Sequence, residues 1–435
     1  MSQDLIIGVV IVWFALFLLL GQSVATVLFS AGLLGIALWV GPDVFAGIIG
    51  TNVFFTASSY SLSIIPLYLL MAQLLLRGDV VVDLFRVGYR LAGRRRFPLG
   101  LATIVSGGLL GAVSGSGAAT SAALATLAGP QLEGLGYTRR MSVAVAAVAG
   151  SLSAIIPPSL IMIIYGSLTQ VSIGHLFIGA LGPAVLCIGV YVGCLRFFAE
   201  VDPSVAGRPA AGDDADPGTR RSVTAFVFVV VLMLVVFGGI YGGVVTAGEA
   251  GALGAFAALV GMVAMRRVGV TDITTALTDS VKVTAMLMII VIASQIFGRF
   301  LSFSRVPAEL LALLEPLLSQ PTLVVALLLG AFLLFGLFLE SAAVMVLLLP
   351  VVLPVLEATG VDLIWFGVMA SFVISLGLLP PPVGLAAYAA AMAARHPVAP
   401  VFRMTSVFAF SAALVVSAVM LLFPAVVTWL PSTVR

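Results

Sequence analysis

The chain has 435 residues, 62% of them hydrophobic and 9% charged, with a formal net charge of +2 and a mean hydropathy of +1.25. Soluble domains carry about 25% charged residues, so a water-soluble fold is excluded and most of the surface must face lipid or other membrane helices. The apolar runs are continuous rather than alternating, which excludes a transmembrane β-barrel. An all-α polytopic membrane protein remains.

Runs long enough to cross about 30 Å of hydrocarbon begin at 5–20, 24–40 and 54–76, giving a set of N-terminal scaffold helices over 1–76. The first, "LIIGVVIVWFALFLLLG", lacks a basic leader and a small-residue cleavage site and reads as a retained helix. At 77–97, "RGDVVVDLFRVGYRLAGRRRF" places apolar residues at helical spacing among charges, which predicts an interfacial arm helix on the cytoplasmic face. The apolar region 98–138 is interrupted by "GAVSGSGAATSAA" (111–123) and predicts a re-entrant hairpin. A helix over 141–166, broken by "SAIIPPSL", and a span at 176–198 complete a first transport repeat, 98–198.

Residues 199–222 are rich in proline, glycine and aspartate and predict a flexible cytoplasmic linker. Beyond it, spans at 222–242, 248–266 and 281–300 form second scaffold helices (223–300), and 301–321 predicts a periplasmic arm helix. The second transport repeat, 322–435, holds a hairpin (322–358), a helix over 363–392 broken by "GLLPPPVGL", and a span at 404–428.

Positive charge sets the orientation. With the N-terminus outside and each hairpin returning to its own side, 17 of the 20 Lys and Arg residues fall on one face and Arg299, Arg305 and Arg435 on the other. That face is cytoplasmic, and both termini are periplasmic. Were either hairpin a full crossing, Arg139 and Arg140, or Arg395 and Arg403, would move outside.

The two halves repeat one another. At an offset of 224, Pro130 lies on Pro354 and "LEGLG" (132–136) on "LEATG" (356–360). At 223, Pro157, Pro158 and Tyr165 lie on Pro380, Pro381 and Tyr388. Proline in a helix interior costs about 3 kcal/mol or more, so breaking two helices alike calls for a reason. Inverted repeats with paired broken helices are the construction of secondary transporters, whose freed carbonyls and half-helix ends bind ion and substrate near the midplane.

The hairpin tips add chemistry. In the first, Ser114, Ser116, Thr120 and Ser121 interleave with Gly111, Gly115 and Gly117, giving uncharged oxygen ligands on backbone that can approach closely. Small-residue helix packing is the competing reading. The second, "GLFLESAAV", places Glu340 alone in an apolar segment, where an acid serves an ion site or caps the hairpin's second arm. Glu249, in "TAGEAGALG", lacks the hairpin setting and predicts a helix-start role.

Cys187 and Cys194 read as small apolar side chains, and His175 and His396 lie far apart, so neither a metal centre nor a redox cofactor is expected. No GxxxxGK[ST] is present for nucleotide hydrolysis, and nothing points to a nucleic-acid partner. An intramembrane enzyme would need a nucleophile with a base, or a metal set, at membrane depth. The chain offers neither, and no enzymatic activity is expected.

"GAVSGSGAAT", "GYTRRMSVAVAAVAGSLSAIIPPSLIMIIYG", "VSIGHLFIGALGPA" and "GLLPPPVGLAAYAAA" resemble the large membrane subunit (DctM type) of tripartite ATP-independent periplasmic (TRAP) transporters, and the resemblance covers nearly the whole chain. It implies an elevator-type, sodium-driven importer of carboxylates and related organic anions in a bacterial inner membrane. It also implies two partners, a small membrane subunit (Q type) and a periplasmic substrate-binding protein (P type), with Na+ as coupling ion. Carried over by motif, sodium and substrate would be held at Ser114, Gly115, Ser116, Gly117 and Thr120, at Pro157, Pro158 and Ser159, at Glu340 and Ser341, and at Pro381, Pro382 and Gly384. The metal would be sodium only, held by Ser114, Ser116, Ser341 and backbone carbonyls near the breaks. Two departures from the family's pattern stand out: Pro380 replaces a threonine, and Ser341-Ala342 replaces Pro-Thr after the acid. The alternative within transport is a stand-alone sodium-coupled dicarboxylate or citrate carrier.

Overall fold

A computed structural model describes residues 2–92, 95–114, 116–201 and 219–434. Gly115 and positions 202–218 of the linker lie outside these residues; the linker's two ends, 199–201 and 219–222, are helical. The described residues form 22 α-helices and no strand.

The N-terminal part runs through α1 (Gln3–Leu19), α2 (Val24–Trp39), α3 (Phe45–Ala57) and α4 (Ile64–Arg77). A single span over 54–76 is therefore corrected: a bend at Ser58–Ser59 and a short 3-10 turn (Tyr60–Ser63) separate α3 from α4. The arm is α5 (Val80–Leu91). The first hairpin is α6 (Arg96–Ser114) and α7 (Gly117–Leu127), with α8 (Gly129–Gly134) continuing its second arm. α9 (Arg139–Ser151) and α10 (Leu160–Thr169) are the halves of the broken helix, and α11 (Ile173–Gly179) leads into α12 (Leu181–Val201).

Three long helices follow: α13 (Thr219–Tyr241), α14 (Ala247–Ala264) and α15 (Val270–Ser304). The last has 35 residues, about 52 Å at 1.5 Å per residue, so it absorbs both the polar stretch before 281 and the first four residues of the second arm, expected from 301. The arm itself is α16 (Val306–Leu314), set off by a left-handed turn at Arg305. α17 (Pro321–Gly336) and α18 (Ser341–Thr359) form the second hairpin, α19 (Leu363–Gly377) and α20 (Leu385–Ala393) the second broken helix, and α21 (Val398–Leu422) and α22 (Ala425–Thr433) close the chain.

Among the described residues, seven helices are long and apolar enough to cross a membrane: Tyr60–Arg77, Ile173–Phe198, Arg221–Tyr241, Ala247–Ala264, Val270–Ser304, Ser341–Thr359 and Val398–Leu422. The hairpin arms pack on one another, α6 on α7 and α17 on α18. Five crossings separate the hairpins: α9–α10, α11–α12, α13, α14 and α15. Five is odd, so the hairpins enter from opposite faces and the repeats are inverted.

The repeat register is 224 up to the breaks: α7 and α18 start at 117 and 341, α9 and α19 at 139 and 363. Pro157 and Pro158 therefore lie on Pro381 and Pro382, not on Pro380 and Pro381. Both proline pairs are joined by a cis peptide bond. The extra residue enters after the second pair, where Gly384 precedes α20. Tyr165 and Tyr388, matched in the other register, have different surroundings. Tyr165 is buried and donates to the Leu363 carbonyl at 2.6 Å, whereas Tyr388 is exposed.

Two bodies follow from the packing. α2, α4, α13, α14 and α15 pack among themselves, while α7, α9, α12, α19, α20 and α21 form the other group. Glu249 starts α14 as expected: its carboxylate accepts from the Thr246 N–H (2.8 Å) and its own N–H donates to the Thr246 hydroxyl (3.3 Å). Asp83 on α5, Ser222 on α13 and Arg267 just past α14 form a buried polar cluster. Ser222 donates to Asp83 at 2.6 Å, and Arg267 is ion-paired with Asp83 and also donates to the carbonyls of Gly78 (2.9 Å) and Arg221 (2.8 Å).

Candidate functional site

Each hairpin tip is built as a helix start. Ser116 takes an extended backbone and its hydroxyl accepts from the Ala119 N–H at 3.4 Å, capping α7. At the equivalent position Glu340 is also extended, and its carboxylate accepts from the Ala342 N–H at 2.9 Å, capping α18. Both are oxygen acceptors at N-cap positions, where they satisfy backbone donors that lack intrahelical partners. Glu340 thus performs the capping role that the sequence left open.

The breaks cross over between repeats. α20, after the second break, packs on α7 of the first hairpin; α10, after the first break, packs on α18 of the second. The crossing brings both tips and both breaks to one cavity of about 60 Å³. Its wall includes Ser116 and Gly117 from the first tip, Glu340 and Ser341 from the second, Ala154 and Leu160 flanking the first break, and Leu378 and Leu385 flanking the second. Leu287 of α15 adds a wall from the other helical body. A cavity of this size holds a few water molecules or a small ion.

The prolines themselves are not among the residues that line the cavity. Among the described residues, no N–H or O–H donates to the carbonyls of Pro157, Pro158, Pro381 or Pro382. Backbone of this kind persists at membrane depth only beside protein or a water-filled cavity that meets its needs. Neighbouring carbonyls are occupied: Ala154 accepts from the Ser159 hydroxyl (2.7 Å), Leu378 from the Ala386 N–H (3.0 Å), and Leu379 from the Thr405 hydroxyl (2.8 Å).

Of the residues singled out from sequence, Ser116, Gly117, Glu340 and Ser341 line the cavity. Ser159 is buried and closes the first break. Thr120 is buried on α7 and does not line the cavity. Ser121 donates to the Ala147 carbonyl at 3.1 Å, which makes it a packing residue. Ser114 ends α6, and Gly115 lies outside the described residues. Gly384 begins α20 with φ of +51°, and a Cβ there would come within 2.5 Å of the Phe402 ring and 2.8 Å of the Pro380 carbonyl oxygen, so only glycine fits.

Three residues were not foreseen. Ser153, fully buried before the first break, has no hydrogen-bond partner for its hydroxyl among the described residues. It lies beside Gly117. Its only sequence signal is a hydroxyl four positions before the proline pair. Thr405 and Leu287 come from remote helices and carry no local signal.

The breaks also differ in exposure. Pro157, Pro158 and Ile161–Ser167 on α10 are buried, whereas Pro381, Pro382 and Val383 are exposed, as are Tyr388 and Met392 one turn apart on α20. The second break is thus the more exposed of the two.

Residues 11–429 match the family model described as "Tripartite ATP-independent periplasmic transporter, DctM component". The chain is similar to the C4-dicarboxylate TRAP transporter large permease protein DctM of Pseudomonas aeruginosa, 28% identical over 382 residues that cover 88% of this chain and 87% of that protein. It is similar to the isethionate TRAP transporter permease protein DctMQ of Oleidesulfovibrio alaskensis, 28% identical over 86% of this chain and 58% of that longer protein. In fold it resembles the crystal structure of the Alcanivorax borkumensis YdaH transporter, with a TM-score of 0.70, 14% identity, and coverage of 95% of this chain and 98% of that one.

Proposed function

The chain belongs to the DctM family of tripartite ATP-independent periplasmic transporters as a large permease subunit, and from that membership we propose that it drives sodium-coupled, binding-protein-dependent uptake of organic anions across a bacterial inner membrane. The observation that carries this reading is the single cavity where both hairpin tips and both proline breaks meet. Proline carbonyls without protein donors suit a cation, and the N-termini of α7 and α18 suit an anion. Sodium is held by hydroxyls and carbonyls around Ser116, Ser341 and the two breaks, with Glu340 supplying negative charge.

Carboxylates and sulfonates are the substrate class, as the relatives named for C4-dicarboxylate and isethionate support. The partners are a Q-type membrane subunit, in keeping with the relative named DctMQ, and a P-type periplasmic binding protein. Leu287 on α15 is the contact of the second body with the cavity, so that body serves as scaffold while the hairpins and breaks carry the site past it in an elevator motion. Both termini are periplasmic by the distribution of arginine. On that orientation the exposed face of α20 leads to the cytoplasm, and the conformer is open inward.

The test is uptake of a radiolabelled C4-dicarboxylate or sulfonate into proteoliposomes containing this chain, the small subunit and the binding protein. Uptake should require an inward sodium gradient. Undiminished uptake without sodium at constant membrane potential, or full uptake without the binding protein, contradicts the proposal; the latter result would favour a stand-alone carrier.

A further inference from the structure

Away from the central cavity, Arg140 at the start of α9, Phe198 on α12, and Ala399, Pro400, Arg403 and Met404 on α21 line a pocket of about 470 Å³. Arg139, next to it in sequence, is committed elsewhere: its guanidinium donates to the Ala394 carbonyl at 2.7 Å and caps α20. Arg403 is exposed and, among the described residues, makes no ion pair and no hydrogen bond. α21 itself carries no carboxylate. The pocket thus sets the uncommitted Arg403, with Arg140 beside it, over the apolar side chains of Phe198 and Met404.

Below it the helix surface continues as an apolar track. Arg403, Val407, Phe410 and Leu414 are all exposed and follow one another at spacings of four, three and four residues, which places them on one face of α21. A charged head over an apolar stripe matches a two-part ligand, with an anionic group for the arginines and a hydrocarbon chain for the stripe. With the orientation given above, the arginines lie at the cytoplasmic membrane surface and the stripe runs into the hydrocarbon.

We propose that this pocket holds the headgroup of an anionic phospholipid of the cytoplasmic leaflet, with Arg140 and Arg403 on its phosphate and an acyl chain along α21. Arginine suits the role because its planar fork pairs with phosphate through two parallel hydrogen bonds. Basic pockets between membrane helices on the cytoplasmic side are the setting in which such headgroups are recognised. The site belongs to the body that carries the hairpins and breaks, so a bound lipid would travel with it.

The full-length chain in neutral detergent would be titrated with phosphatidylglycerol and, separately, phosphatidylcholine, with binding followed by native mass spectrometry and thermal midpoint. The chain should retain phosphatidylglycerol in preference to phosphatidylcholine. Arg403→Gln and Arg140→Gln should each weaken phosphatidylglycerol binding about fivefold, the worth of one arginine near the membrane surface. Equal binding of the two lipids by the unaltered chain overturns the proposal whatever the variants do. Unchanged phosphatidylglycerol binding in both variants also overturns it. Full displacement of the lipid by millimolar inorganic phosphate does so too, showing a site for a free anion instead. None of these readouts depends on sodium or transport.

Discussion

Glu340→Gln separates the cap that this carboxylate forms in the second hairpin from the ion-site role proposed for it. Glutamine keeps the length and an acceptor oxygen, so the bond from the Ala342 N–H can survive; losing a cap altogether costs typically about 1 kcal/mol. The thermal midpoint should therefore move little. The charge term is larger. Treated as a sphere, a cavity of 60 Å³ has a radius of about 2.4 Å, which puts a wall oxygen within roughly 5 Å of a central ion. At that distance a unit pair is worth about 3 kcal/mol at an effective dielectric of 20, and about half that at 40. Glu340 is exposed on one side, so water screens it and the range extends to the lower figure. The sodium concentration for half-maximal uptake in proteoliposomes should rise roughly 10- to 150-fold, with maximal uptake largely kept at saturating sodium. A parent-like sodium dependence for a folded Glu340→Gln protein would show a cap and nothing more, and would remove the second tip from the ion site.

Ser116→Ala should weaken sodium dependence while lowering the thermal midpoint only slightly, because the capping bond at 3.4 Å is long and such caps contribute about 1 kcal/mol; a variant that unfolds yet transports normally per folded molecule would assign Ser116 to packing. Asp83→Asn should cost roughly 3–5 kcal/mol, since Arg267, 2% exposed, loses its buried carboxylate partner; thermal denaturation checks this, and an unchanged midpoint would refute it. The Arg77–Asp279 pair, about a third exposed on each side, should matter by less than about 1 kcal/mol when Asp279→Asn is measured the same way. Met392→Cys should react with a membrane-impermeant maleimide from the cytoplasmic side while Ile164→Cys does not, because Met392 is exposed, Ile164 is buried, and the native Cys187 and Cys194 are buried. Labelling of Ile164→Cys instead would contradict the inward-open assignment.

Much of this architecture was legible because membrane helices announce themselves by continuous apolar runs, and because arginine distribution fixes the parity of crossings. The hairpins were visible for the same reason, as apolar regions too broken to span. Boundaries were less legible. α15 begins at Val270 among threonines and aspartates because a helix can leave the membrane and continue, and hydropathy marks only the lipid-facing part. The proline register was misread because three consecutive prolines align equally well in two ways, and the Tyr165–Tyr388 identity favoured the wrong one. The starts of α7 and α18, and of α9 and α19, decide it. At the site, Ser116 and Glu340 stood out as polar residues in apolar surroundings. Thr405 and Ser153 did not, since a hydroxyl that meets a carbonyl 26 residues away, or a buried hydroxyl left without a partner, leaves no pattern in sequence. The Asp83–Ser222–Arg267 cluster joins positions up to 184 residues apart and was equally silent.

Equilibrium binding of radiolabelled sodium to the purified chain, without partners or substrate, tests the central claim most directly. Saturable binding that potassium does not displace, and that Ser116→Ala together with Glu340→Gln abolishes in a folded protein, is the result expected if the tips and breaks form an ion site. Absence of saturable sodium binding, or binding indifferent to both substitutions, would contradict it.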